Sequence, residues 1–323
     1  MLNRRNVISG VVILLLLALM VFSIAKLLES RKAVEDGNGD DSRTLEIDGV
    51  KYSPRQDVNV FMLVGIDREG KHEDSNSYRN SGEADMISLL IFDESDKTYS
   101  ILCLNRDTML EMPTIGLGGK YAGKAYGQLA LSHTYGSGLI DSCQNVKKTV
   151  SSFLYNLEIE YCLSLTMDAV AKLNDAVGGV TVNVTDDFPA ETGILKGEGV
   201  KLSGEQALNF VRTRKDVGDQ LNVSRMKRHE EYMKGFMSAL NTKLNSDEDF
   251  IVSTYRDLSD YVVTDCTLDS LQKFVSRYSD YQFKEIVSPV GENTVGEKYM
   301  EFKVDPKELE KLVIRLFYNK QES

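Results

Sequence analysis

At 323 residues, with 42% hydrophobic and 27% charged side chains, the chain has the make-up of a globular protein holding one large domain or two small ones. Its 38 basic and 49 acidic side chains give a net charge of −11, which excludes the broad basic footprint of a general nucleic-acid binder. Four cysteines without metal-knuckle or redox-pair spacing call for no disulfide, and a chain of this size needs no staples.

From Val7 to Ala25 no residue is charged, and beyond Lys26 the apolar pair Leu27-Leu28 closes the segment. A bilayer crossing takes about 20 apolar residues, so 7–28 is expected to be a transmembrane anchor. Arg4 and Arg5 precede it and Lys26, Arg31 and Lys32 follow, so the flanking charges do not set its orientation. The very short leader does: residues 1–6 become a cytoplasmic tail and the bulk lies outside the cell membrane, in a single-pass protein. Ser23-Ile24-Ala25 makes a cleaved signal peptide the rival reading, but the run exceeds the roughly 7–15 residues of a signal core. The polar 29–56, with Asp-Gly-Asn-Gly-Asp-Asp at 36–41, reads as a flexible stalk.

A folded domain is expected from 57 to 323. VNVFMLVG (58–65), MISLLIF (86–92) and TYSILCL (98–104) read as buried strands, the last two joined by a hairpin connection at 93–97. Val146, Val150, Phe153 and Leu154 give 141–155 a helical period. YCLSLTM (161–167) is a strand, and AVAKLNDAV is a helix stopped by Gly178-Gly179. VTVNV (180–184) alternates as a half-buried strand, and Ser203 with Gln206 forms a capping box. Ser224 is expected to cap a long helix whose apolar stripe of Met226, Met233, Phe236, Met237, Leu240 and Leu244 belongs to the core. The last third adds a helix at 268–278, a strand-like KEIVSPV, and a helix opened by Asp305, Pro306 and Glu308. Strands alternating with helices predict an α/β fold with a mixed sheet covered on both faces.

Against the acidic background, 201–234 carries eight Lys/Arg and five acids, and Arg212, Arg214, Arg225 and Arg228 fall within 212–228 around Asp216 and Asp219. Arginine's planar fork fits phosphate oxygens, which points to a polyanion site; a solvated charged face is the alternative. A helix start at Ser224 would place Arg225 and Arg228 at an anion-favouring terminus. Asp67 follows the first strand, Asp85 precedes the second, and Arg106-Asp107 follow the third, where α/β sheets bind ligands. Two convergent carboxylates suit Mg²⁺, although Asp also caps turns. No G-x-S-x-G, Walker, HExxH or CxxC pattern is present, and His133 in ALSHTYG is expected to be a buried, satisfied histidine.

In order, LVGID, GEADMISLLIFD, LNRDTMLEMP, LSHTYG, LNDAVGGVTVNV, LSGEQALNFVRTR and GDQLNVSRMKRHEE, behind an apolar N-terminus, resemble the LytR–CpsA–Psr family of envelope enzymes over about 57–240, with 241–323 like its C-terminal extension. The resemblance implies an α/β/α sandwich outside the membrane, with an apolar groove for a polyprenyl tail. It implies a Mg²⁺- or Mn²⁺-dependent, phosphotransferase-type ligase that moves a teichoic acid or capsule-like glycopolymer from a polyprenyl-pyrophosphate carrier to peptidoglycan. A polyprenyl-pyrophosphate phosphohydrolase and a non-catalytic lipid-carrier binder or envelope regulator are the alternatives.

By motif position Asp67 and Asp85 would hold the metal. Arg106, Arg212, Arg214 and Arg225 would bind pyrophosphate, with Arg228 and Lys124 as further candidates. Asp85, Arg106 and Asp219 would be catalytic, and Asp85 or Asp219 would take the hydroxyl proton. The chain departs from the family pattern at Glu83-Ala84, where Arg-Ser is common, at Arg68 directly after Asp67, at Gln128 with Lys124 one turn earlier, and at His229. The two acids and the VRTR pair are untouched by these departures.

Overall fold

The computed structural model describes residues 44–321 apart from Leu117, Arg214, 219–221, 248–249, Ser279 and Lys298. The expected tail (1–6), anchor (7–28) and most of the stalk lie outside the described residues, as do Arg214 and Asp219. Among the described residues no helix is long and apolar enough to cross a membrane.

The chain opens with β1 (Leu45–Ile47) and β2 (Val50–Pro54), an antiparallel hairpin that also pairs with the last strand of the protein. The expected stalk is therefore shorter than 29–56. Asp48 and Gly49 both take positive φ, as a two-residue hairpin turn requires, and Leu45, Ile47, Val50 and Tyr52 flank them.

The next three strands are β3 (Val58–Ile66), β4 (Ala84–Asp93) and β5 (Thr98–Leu104), all antiparallel neighbours. A projecting hairpin of β6 (Met109–Ile115) and β7 (Tyr121–Gln128) follows, then α1 (Ile140–Phe153), β8 (Tyr161–Leu165) and α2 (Met167–Ala176). The expected strand 161–167 ends two residues early because Met167 already begins the helix. Next come β9 (Val180–Val184), β10 (Gly197–Leu202), α3 (Gly204–Arg212), α4 (Asn222–Ser246), α5 (Phe250–Leu258), β11 (Val262–Thr264) and α6 (Leu268–Tyr278). The chain closes with β12 (Gln282–Val287), the hairpin β13 (Gly291–Val295) and β14 (Met300–Val304), α7 (Pro306–Phe317) and β15 (Tyr318–Lys320).

Six strands form the central mixed sheet, in the order β11-β8-β3-β4-β5-β12, with β8 parallel to β3 and β12 parallel to β5. Alternation along β3 sends Phe61 and Leu63 to one face and Val60, Met62, Val64 and Ile66 to the other. The first face packs on α2 to α6. The second packs on α1 and α7. This is the expected α/β layering.

The Ser203–Gln206 capping box closes in both directions. Asp305 caps α7 by accepting from the Lys307 and Glu308 amides, whereas the Glu308 side chain turns to Lys311 instead of completing a box. Gly235 lets α4 lie directly on β9, since a Cβ there would run into the Thr181 carbonyl.

His133 is fully buried with Nδ1 2.8 Å from the Gly82 carbonyl, and burial pushes its pKa down to about 4. The carbonyl can only accept, so Nδ1 carries the proton. Among the described residues the Nε2 atom has no hydrogen-bonding partner, which corrects the expectation of a satisfied ring.

Candidate functional site

The site forms where β3 ends and β4 begins. The ladder between them shifts register between Gly65 and Ile66, and Asp85 is the extra residue of this bulge: Met86 pairs with Gly65 and Ala84 with Ile66. A bulge re-aims a side chain, and Asp85 is delivered to the face that carries Leu63 and Gly65. Asp67 shares that face by alternation, two residues beyond Gly65. Its amide donates to the Glu83 carbonyl at 2.8 Å, setting Glu83 opposite it.

Asp85 is 9% exposed and holds two guanidinium groups, one on each oxygen. Arg106 donates through Nη1 to Oδ1. Arg225 donates through Nη1 to Oδ2 at 2.6 Å and through Nη2 to the Asp85 carbonyl at 3.3 Å. Arg106 comes from the turn after β5, where Asn105 accepts from the amides of Asp107 and Thr108. Its second edge meets Glu83, and its Nε lies 3.5 Å from Asp107, which accepts from Gln128. Each charge is thus buried with an opposite partner, the condition under which burial is tolerable.

Arg212 ends α3 and stays 42% exposed, with Nη1 2.7 Å from Glu69 and Nη2 3.7 Å from Asp67. Its backbone is held from behind. Arg228 donates through Nε to the Phe210 carbonyl at 2.9 Å, through Nη2 to the Thr213 carbonyl, and through Nη1 to Asp186 at 3.0 Å. His229 Nε2 donates to the Val211 carbonyl at 2.9 Å. Two consecutive side chains of α4 therefore satisfy the last carbonyls of α3, which a helix end otherwise leaves orphaned. Burial and then the Arg225 charge hold the His229 pKa down at about 3, so the ring is neutral.

Behind these charges lies an apolar cavity of about 80 Å³ between the sheet and α2, α3 and α4. Leu63, Met86, Leu165, Leu173, Met233 and Phe236 line it, while Asp85, Arg212 and Arg225 stand among its walls. Arg225, His229, Tyr232, Met233 and Phe236 follow one face of α4, so a single helix supplies both a cation and the greasy wall.

Several expected placements change. α4 begins at Asn222, so Ser224 lies inside its first turn and Arg225 reaches the site by its helix face rather than at the first position. Arg228 is 4% exposed and braces α3, so it is not a solvated surface charge, and its guanidinium is held by the Phe210 and Thr213 carbonyls and by Asp186. Met233 and Phe236 line the cavity as well as filling core. Lys124 is not brought in: it sits on the exposed β6–β7 hairpin, paired with Glu111 at 3.0 Å. Arg68 pairs with Glu73. Asp67, Asp85, Arg106, Arg212 and Arg225 do come together. Reasoning from the sequence missed Glu83 and Gln128 as partners of this cluster, whereas an ion pair between the adjacent Arg106 and Asp107 was legible in it.

The LytR_cpsA_psr family profile matches residues 19–316. The chain belongs to this family. Relatives within it include the polyisoprenyl-teichoic acid–peptidoglycan teichoic acid transferase TagU of Oceanobacillus iheyensis, 26% identical over 250 residues that cover 75% of this chain and 69% of that one. The TagU of Enterococcus faecalis is 25% identical, covering 84% of this chain and 82% of that one. Among solved structures, gbs0355 from Streptococcus agalactiae superposes with TM-score 0.63 at 22% identity, covering 80% of this chain and 86% of that one. A TagT structure with bound LIIa-WTA superposes with TM-score 0.60 at 20% identity, covering 87% and 93%. The α/β layering with its mixed sheet is thus the architecture of LytR_cpsA_psr proteins.

Proposed function

We propose that this chain is a membrane-anchored transferase that joins an anionic glycopolymer, carried on polyprenyl pyrophosphate, to peptidoglycan during cell-wall assembly. The observation that carries this reading is the continuity of two surfaces. The apolar cavity suits a polyprenyl tail, and Asp85, Arg212 and Arg225 are among the residues that line it, beside which a pyrophosphate would sit. The names of the TagU relatives support the same donor and acceptor classes. Residues 7–28 would anchor the chain with its folded part outside the cell membrane.

The chemistry follows from the charges. A hydroxyl of peptidoglycan attacks the polymer-linked phosphorus and gives its proton to Asp85 or Asp219, a new P–O bond forms, and the bond to polyprenyl phosphate breaks with its electron pair on the leaving oxygen. Arg106 and Arg212 would bind the phosphate oxygens and neutralise charge that builds on them. Arg225 fixes Asp85 from the rear wall, and its burial keeps water from competing for that bond.

The carboxylates Asp67 and Asp85 are hard oxygen donors on one face. Asp67 is half-exposed, and each Asp85 oxygen keeps a lone pair beyond its arginine bond. They fit Mg²⁺ or Mn²⁺, which would supply further positive charge to the phosphate oxygens.

The test is reconstitution of the full chain in vesicles with polyprenyl-pyrophosphate-linked teichoic acid, peptidoglycan fragments and Mg²⁺. Polymer joined to glycan is expected. Polymer released without joining would reassign the site to a phosphohydrolase. Lipid bound without turnover would reassign it to a carrier-binding protein.

A further inference from the structure

Arg106 faces three carboxylates, and they are not equivalent. Asp85 is 9% and Asp107 is 7% exposed by side chain, and each is pinned by a second partner, Arg225 at 2.6 Å and Gln128 at 2.9 Å. Glu83 is 40% exposed and meets Arg106 through one oxygen. It therefore covers the outward edge of the guanidinium, the edge a ligand entering from solvent would meet. Its backbone is fixed by the bond from the Asp67 amide, so its side chain can turn away without disturbing the β3–β4 pairing.

We propose that Glu83 is a built-in substitute for the substrate phosphate: its carboxylate holds the outer edge of Arg106 in the free protein and is displaced when a pyrophosphate binds. The proposal rests on the reading of Arg106 as a pyrophosphate ligand. Three carboxylates on one guanidinium leave the group around Arg106 net negative, so an incoming dianion is repelled until one of them withdraws. Asp85 by withdrawing would strip the buried Arg225 of its carboxylate, and Asp107 would give up its bond from Gln128, whereas the half-exposed Glu83 can exchange its arginine for water.

Two consequences follow. Affinity for the anionic head is set below what the arginines alone would give. A ligand must also bring enough charge to compete with a carboxylate at short range, which selects a diphosphate over a monophosphate. Glu83 is thus a specificity-determining residue.

The experiment uses the full chain in detergent micelles and geranyl pyrophosphate or geranyl monophosphate as probe, with affinity read by titration calorimetry. Glu83→Gln keeps an oxygen for Arg106 but removes the charge, and Glu83→Ala removes both. Both are expected to bind the diphosphate more tightly, by roughly fivefold, the scale of one half-exposed ion pair. Both should narrow the preference for diphosphate over monophosphate. Glu198→Gln, an exposed acid on β10, should leave affinity unchanged.

Equal or weaker diphosphate binding in both Glu83 variants, with unchanged thermal melting, overturns the displacement role while the pyrophosphate site stands. A different failure identifies a wrong site: no binding to the parent chain or to either Glu83 variant removes the pyrophosphate reading and this proposal with it.

Discussion

Arg225 reaches Asp85 across 140 residues of chain and donates to it at 2.6 Å, with the two side chains 2% and 9% exposed. This contact ties the bulge at the start of β4 to the face of α4. It places the wall of the apolar cavity and the carboxylate at its mouth in one rigid unit. Breaking it tests both fold and site.

Asp85→Ala leaves Arg106 and Arg225 without their shared partner. Removing one member of a buried charge cluster costs about 3–5 kcal/mol. Urea unfolding should show the unfolding free energy fall by that amount and the midpoint move down with it, with Asp85→Asn falling less because its oxygen still accepts.

Arg212 and Arg228 should separate cleanly. Arg228→Ala strands the carbonyls at the end of α3 and should lower stability by about 2–3 kcal/mol. Arg212→Ala, on a half-exposed side chain, should change stability by under about 0.5 kcal/mol yet weaken a pyrophosphate probe by roughly tenfold or more. Unfolding and binding curves on both variants check this.

The cavity makes a prediction about tail length. Affinity of the parent chain for prenyl pyrophosphates should climb as the tail lengthens, because each buried CH₂ contributes about 0.8 kcal/mol at most. Met233→Lys puts a cation among the lining residues and should flatten that climb. Titration with a series of tail lengths measures the slope.

Acid should destabilise the protein through its histidines. Burial lowers the pKa of His72 and His133 from 6.5 to about 4 and that of His229 to about 3. The unfolded chain then binds more protons than the folded one between those values and 6.5. Their contribution is fully present above 6.5 and is lost as pH falls toward 4 and then 3. Melting temperature should drop across that window, and His229→Gln should reduce the drop. A flat profile from pH 7 to 4 would contradict the burial of these rings.

The parts legible in the sequence were those set by local pattern. Continuous apolar runs marked β3, β4 and β5, and Ser203–Gln206 marked α3, because strand burial and helix caps are written in neighbouring residues. Asp48-Gly49 between alternating apolar residues was also a local signal, masked by the polar segment before it.

The rest depended on long-range packing. Arg228 and Arg212 look alike in sequence, and only the docking of α4 against the end of α3 makes one a brace and the other a rim cation. Asp85 faces the cavity because of a bulge, which a single strand's pattern does not record. Lys124 looked like a site cation, but the β6–β7 hairpin carries it to the exposed surface beside Glu111.

The central claim is that the arginine–carboxylate cluster and the apolar cavity form one site for a polyprenyl pyrophosphate. A crystal structure of the chain with a prenyl pyrophosphate and Mg²⁺ tests it most directly. The account predicts the diphosphate within hydrogen-bond distance of Arg106 and Arg212, the tail between the sheet and α4 against Met233 and Phe236, and Glu83 turned away from Arg106. A diphosphate bound elsewhere, or a tail lying outside the cavity, would contradict it.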